Sequence, residues 1–263
     1  MNGTRLALLA PVAALAACVF HHQEFRSLGV QEASLAAPAA KTVVVRNNVG
    51  DVRVETAETD RVSVRANVQT RLAPEKIPSR TGPHPDLLVA QEGDVVRVEN
   101  AHLDTPDDED WKMDITLTVP RGVDVRVSNG VGDCAVAGTS GRVEVDLGVG
   151  DLEVRAERVG GGMIKIGVGD VTLRVSKGGP DGDLSCESGV GDVAIVVPAS
   201  FEGEVDLATG VGDVSVDGAS GVTVERNVVG GSARGRIGSA ETSLRCRTGT
   251  GDVSLRRGAA RVD

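Results

Sequence analysis

Gly148-Val149-Gly150-Asp151-Leu152 is one copy of a phrase that punctuates the second half of the chain. It stands also as Gly130-Val131-Gly132-Asp133-Cys134, Gly167-Val168-Gly169-Asp170-Val171, Gly189-Val190-Gly191-Asp192-Val193 and Gly210-Val211-Gly212-Asp213-Val214. With threonine for valine it returns as Gly249-Thr250-Gly251-Asp252-Val253, and a relative, Asn48-Val49-Gly50-Asp51-Val52, lies alone upstream. Glycine permits positive φ where a chain turns sharply, and an aspartate beside it can accept hydrogen bonds from nearby amides, so the phrase reads as a corner. Counting from aspartate to aspartate, with Ser232 after Gly230-Gly231 standing in for one of them, the steps are 18, 19, 22, 21, 19 and 20 residues. A period near twenty is the signature of a solenoid.

Phasing the chain on the corner exposes two apolar columns. Eight and six residues before it stand Val125/Val127, Val143/Val145, Gly162/Ile164, Leu184/Cys186, Val205/Leu207 and Leu244/Cys246. One and three residues after it stand Cys134/Val136, Leu152/Val154, Val171/Leu173, Val193/Ile195, Val214/Val216 and Val253/Leu255. The residues between, such as Glu144, Lys165, Glu187, Arg155 and Arg174, then face water, as the two-residue period of a strand requires. Equivalent strands stacked ~4.8 Å apart would bury both columns in a slab ~10 Å thick. Such a slab suits a chain of 263 residues with 34 glycines, no tyrosine, three phenylalanines and one tryptophan. The expected fold is an all-β solenoid of about seven two-strand rungs with an N-terminal β-strand region. An antiparallel sandwich or meander, with the corners as hairpin turns, is the alternative the phase pattern leaves open.

The same register places Cys186 three rungs from both Cys134 and Cys246, ~14 Å each at that spacing. That is beyond the ~7 Å Cα limit of a disulfide, so three buried free thiols are expected. One carboxylate per turn favours corner capping over a calcium ladder, although weak cation binding stays open.

Upstream, Val43, Val45, Val52 and Val54 alternate with Arg46, Arg53 and Glu55 around the turn at residues 48–51, a half-buried pair of strands. Leu87-Leu88-Val89 and Val95-Val96-Arg97-Val98 flank Glu92-Gly93-Asp94 as a hairpin. Met113 to Val119 alternates and turns at Pro120-Arg121-Gly122. The prolines at 74, 78, 83 and 85 mark a surface loop. Asp104-Thr105-Pro106-Asp107-Asp108-Glu109-Asp110 matches no EF-hand spacing and reads as a solvated acidic loop. The N-terminus has Arg5, an apolar run from Leu6 to Ala17 too short to span a bilayer, and Leu15-Ala16-Ala17-Cys18. This end resembles the lipobox of bacterial lipoproteins, which implies that Cys18 carries the lipid. The division expected is a signal peptide at 1–17, a lipid-anchored tether at 18–40, an N-terminal β region at 41–122 and the repeat solenoid at 123–263.

Residues 41–257, with Val119-Pro120-Arg121-Gly122 and the run of Gly-Asp-Val turns, resemble the bacterial putative-adhesin domains of unknown function. The resemblance implies a β-solenoid displayed in the cell envelope, with no demonstrated ligand. A net charge of −10 argues against nucleic acid, since phosphate binding needs a basic stripe. His21, His22, His84 and His102 all lie outside the repeats, and the paired His21-His22 on a tether lacks the other ligands of a closed metal site. No catalytic, cofactor-binding or metal-ligating residue is expected. The function read from the sequence is a non-enzymatic envelope lipoprotein presenting an extended surface for adhesion or partner binding. Its partners are the membrane, through the lipid, and a protein or glycan. A regulatory or sensory envelope partner is the alternative, and a polysaccharide-active β-helix enzyme a remoter one. Val19 after the lipid cysteine supplies no acidic retention signal, which favours the outer membrane.

Overall fold

The computed structural model describes residues 25–72, 77, 86–100, 110–138, 141–239 and 241–258. Cys18 and the signal sequence, like Asp104–Glu109 of the acidic run, lie outside the described residues. The first strands are β1 (Arg26–Ala36), β2 (Thr42–Val49), β3 (Val52–Ala57), β4 (Arg61–Thr70), β5 (Leu87–Glu92), β6 (Val95–Asn100) and β7 (Trp111–Pro120). The repeats follow as β8 (Asp124–Val131) and β9 (Cys134–Ala137), β10 (Val143–Val149) and β11 (Leu152–Ala156), and β12 (Gly162–Val168) and β13 (Val171–Val175). Next come β14 (Leu184–Val190) and β15 (Val193–Val197), then β16 (Gly203–Val211) and β17 (Val214–Asp217). The chain ends with β18 (Val222–Arg226), β19 (Gly231–Ile237), β20 (Ser243–Thr250) and β21 (Val253–Arg257).

Two sheets, of eleven and ten strands, face each other. Each rung puts its first strand in one sheet, turns at the Gly-Asp corner and puts its second strand in the other. Successive rungs pair in parallel with equivalent residues side by side: Val143 beside Val125 and Gly162, Leu152 beside Cys134 and Val171. Parallel stacking is the solenoid expected and excludes the antiparallel meander for the repeats. Of the residues assigned to the two inward columns, all are buried except Val216, which is half-buried near the end of the stack. Among the described residues the aromatics stand outside the two inward columns of the repeats. Trp111 closes the outer rung at one end, Phe201 fills a loop near the other, and the Phe25 ring stacks against Arg71 at 5.8 Å.

The order of the rungs departs from the order of the sequence. At the C-terminal end, β20 lies between β14 and β16, and β21 between β15 and β17. The chain leaves β15, builds β16 and β17 one rung too far out, and caps them with the antiparallel hairpin β18–β19. It then returns to fill the gap. At the N-terminal end β2 likewise lies between β6 and β8, and β3 between β7 and β9. The antiparallel β1, β4 and β5 close that end.

Four expectations change with this order. No boundary falls between 122 and 123, because β2/β3 and β6/β7 are rungs of the same stack and share one continuous core with the repeats. Residues 26–37, expected within the tether, belong to the fold, because Arg26–Ala36 pair with β4 and Ala37 is buried; their mixed polar sequence reads as irregular because one face is open to water. Ser232 is no corner residue: it sits on the antiparallel β19 opposite Ala208 and Glu225. Finally, Cys186 and Cys246 are direct neighbours rather than three rungs apart.

Candidate functional site

The corner that organises the fold also makes its most repetitive surface. Along the ladder, from Asp114 to Asp252, the Oδ1 atom of each aspartate accepts the backbone N–H of the next one in space. Asp114 thus caps Asp51 at 2.9 Å, Asp51 caps Asp133 at 3.2 Å, Asp133 caps Asp151 at 3.0 Å and Asp151 caps Asp170 at 2.9 Å. The run continues from Asp170 to Asp192 at 2.8 Å, Asp192 to Asp252 at 2.7 Å and Asp252 to Asp213 at 2.8 Å. Each carboxylate therefore spends one oxygen on the stack, which is the capping role read from the sequence. Lys112 adds a cation at the first step, 3.1 Å from Asp114 and 3.7 Å from Asp51. Partial burial works against its charge, but the bonds to these two carboxylates outweigh it and raise its pKa. Among the described residues no three His, Cys, Asp or Glu side chains are grouped to hold a metal ion.

Beside the aspartates runs a second line that the sequence reading passed over. Val131, Val149, Val168, Val190 and Val211 are each close to half exposed, between 47% and 49%. Thr250 interrupts them between Val190 and Val211. Val229, 61% exposed, extends the line because its carbonyl accepts the Gly212 N–H at 3.0 Å just as the Val168 carbonyl accepts that of Gly150. The valine shared by the copies of the phrase was the signal for it. The preceding glycine, at Gly148, Gly167 or Gly189, leaves no room for a side chain, since a Cβ there would meet the carbonyl of the adjacent rung. The valines therefore form a ridge with bare backbone on one flank and carboxylates on the other. The result is an apolar line, broken once at Thr250, on an otherwise charged surface.

Behind the corner a buried polar column secures the turn. Asn129 donates to the Gly50 carbonyl at 2.8 Å, Thr248 to Gly191 at 2.9 Å and Thr209 to Gly251 at 2.7 Å. Leu147 and Ile166 take this position in the middle rungs. Buried corner carbonyls need such partners, and the recurrent Asn, Ser or Thr four residues before the aspartate was the legible sign.

On the open face of the eleven-stranded sheet lies a groove of about 770 Å³. Met163, 47% exposed, stands in it. Five cationic side chains (Arg46, Arg126, Arg142, Lys165 and Arg245) line it against three acidic ones (Glu144, Asp146 and Asp183). The groove is thus locally basic on a chain of net charge −10. Glu144 is held by Arg126 at 2.9 Å and more loosely by Arg142 at 3.9 Å. Asp183 accepts the Ser243 hydroxyl at 2.8 Å and its N–H at 2.9 Å, and these bonds hold its carboxyl below the usual range.

With the rungs, corners and faces in place, the chain can be set beside known proteins. A family model described as Toastrack DUF4097 matches residues 32–256. The chain belongs to the Toastrack DUF4097 family. This Toastrack chain has no match among curated proteins. Among solved structures it is similar to a putative cell adhesion protein from Clostridium sporogenes ATCC 15579, at 12% identity and a TM-score of 0.48, over 88% of this chain and 100% of that one. It is also similar to a putative adhesin from Bacteroides fragilis NCTC 9343, at 15% identity and a TM-score of 0.28, over 88% of this chain and 98% of that one. A third, a putative adhesin from Parabacteroides distasonis ATCC 8503, has 12% identity and a TM-score of 0.31, over 86% of this chain and 97% of that one. These likenesses add nothing to what the Toastrack match establishes about fold and family.

Proposed function

We propose that the protein is a non-enzymatic component of the bacterial cell envelope, anchored by a lipid on Cys18, with the outer membrane the favoured site. Its solenoid serves as an extended surface for adhesion or for binding a protein or glycan partner. The observation that carries this reading is the valine ridge bordered by the aspartate ladder. The same chemical pattern recurs on most rungs of the stack, with Thr250 as its one break between Val190 and Val211, which suits a long or repetitive partner better than a small molecule held in one cleft. Burying a valine fully is worth ~1.5–3 kcal/mol, so each half-exposed one offers ~1 kcal/mol, and several engaged together supply specificity through number. The basic groove on the eleven-stranded face offers a second contact for an anionic group.

Replacing Val149, Val168 and Val190 together by serine tests the proposal. Each side chain is already half in water, so the expected change in melting temperature is only a few degrees. Binding of the purified full chain to whole cells or envelope extracts should fall at least tenfold, while proteolysis of intact cells reports whether the surface is exposed. Undiminished binding by the folded triple variant refutes the ridge as the contact surface.

A further inference from the structure

The returning rung brings together two thiols that lie far apart in sequence. Cys186 on β14 and Cys246 on β20 are paired residue to residue in parallel strands, both pointing into the core and both buried. Directly paired strands lie ~4.8 Å apart, inside the ~4.4–6.8 Å Cα range that disulfides span. Ile164 stands on the far side of Cys186 and Leu207 on the far side of Cys246, so each thiol has the other as its one sulfur neighbour in the column. Cys134 lies in the opposite sheet between Val52 and Leu152. It has no thiol beside it and serves as an internal control.

We propose that Cys186 and Cys246 form a redox pair that closes to a disulfide on exposure to a disulfide oxidant and staples the inserted rung β20/β21 to β14/β15. The step balances as thiol–disulfide exchange. One cysteine sulfur attacks the oxidant's disulfide and releases one of its sulfurs as a thiol, with the cysteine proton passing to that leaving group. The second cysteine then breaks the mixed disulfide and releases the other thiol in the same way. Two electrons and two protons pass from the pair to the oxidant, and one S–S bond replaces another.

The place of the pair dictates when this happens. Once β20 is seated, the hydrogen bond to Cys186 and burial both push the Cys246 thiol up. A protonated thiol is a poor nucleophile, and a mixed disulfide does not fit a filled core. The first exchange therefore belongs to the state in which β20 is still undocked, and the second closes the bond as the strand seats. The staple spans 246 − 186 = 60 residues, a loop that contains the outermost rung and its capping hairpin.

The test uses the full chain refolded in reduced and oxidised glutathione, followed by differential alkylation, intact mass and peptide mapping. The expected product is lighter by about 2 Da per link, carries a Cys186–Cys246 peptide, and keeps Cys134 alkylatable only after denaturation. Its melting temperature should rise by roughly 10 °C over the reduced chain, the order expected for a loop of this length in a domain of this size. That increment should be absent from C186S and retained by C134S. Complete alkylation of both cysteines after oxidative refolding to the native fold overturns the proposal, and so does any link through Cys134. The wild-type comparison needs no variant to fold, so the outcome is decisive even if C186S does not.

Discussion

Alanine at Gly191 should be among the most damaging single-methyl additions available in this fold, for two reasons that can be measured separately. Gly191 has a φ of +140°, a region alanine adopts only under strain, and a Cβ built there would lie 2.5 Å from the Gly169 carbonyl carbon and closer still to its oxygen. Gly178, in a loop, has a φ of +76° and nothing within 4 Å of such a Cβ. Gly189 has no positive φ, but its Cβ would meet the Gly167 oxygen at 2.5 Å. Left-handed backbone costs an L-residue ~1–2 kcal/mol, and overpacking against an unyielding neighbour costs ~1–3 kcal/mol. G178A should therefore lose ~1–2 kcal/mol, G189A ~1–3 kcal/mol and G191A, which carries both costs, ~2–5 kcal/mol. At ~2–4 °C per kcal/mol for a domain of this size, G191A should melt ~4–20 °C below wild type. Urea titration of the three variants, with slopes compared to confirm a common unfolding transition, gives the ranking. A G191A variant no less stable than G178A would sink the claim that close stacking of neighbouring corners dictates the glycines.

Two other outcomes test the charged surface. Asp170→Ala removes the acceptor that caps the Asp192 N–H and should cost ~0.5–2 kcal/mol, as loss of a capping side chain does, whereas Asp170→Asn should be close to neutral; calorimetry with calcium should show no binding to either variant or to wild type. Asp206 accepts from Arg234 at 3.1 Å and Arg247 at 3.3 Å, with Arg245 at 3.5 Å. Partial burial opposes its charge, but the arginines win and its carboxyl titrates below the usual range. A carboxyl depressed on folding contributes stability above its unfolded pKa of ~3.9 and loses it as pH falls through the folded value. Asp206→Asn should thus cost ~1 kcal/mol at pH 7, modest because the arginines are exposed, and the gap to wild type should close in melts run toward pH 2.

The sequence carried the membership of the rungs marked by the glycine-aspartate phrase but not their place in the stack. Alternation around Asp133 or Asp192 is a local property, fixed by which residues must face inward. All rungs share the same corner, so Asp252 fits after Asp192 as well as after Asp213, and nothing in the period distinguishes the two. The misplacement of Cys186 and Cys246 follows from that degeneracy together with the counting of Ser232 as a corner. Asp114 escaped notice for the opposite reason: its rung carries a long insertion between β6 and β7 in place of the glycine phrase. The strand at 26–36 was hidden because it pairs at an edge, where only one face needs to be apolar. The valine of the repeated phrase is legible in the sequence, but valine is ordinary in strands, and a two-residue period alone does not say that this one lies beyond the core.

The interleaving at both ends has a mechanical consequence. In a solenoid wound strictly in order, tension on a terminus peels the outermost turn, then the next, each at the small force that parts one ladder. Here tension applied through the N-terminal segment, once β1 has come away from β4, reaches β2, which is held by β6 on one side and β8 on the other. From the other end, β21 and β20 are clasped between rungs in the same way. Neither terminus gives access to a rung that can leave alone, so two ladders must be sheared together before any repeat is released. Drag on such a molecule is resisted up to a threshold and then lost abruptly, a response closer to a latch than to a zip.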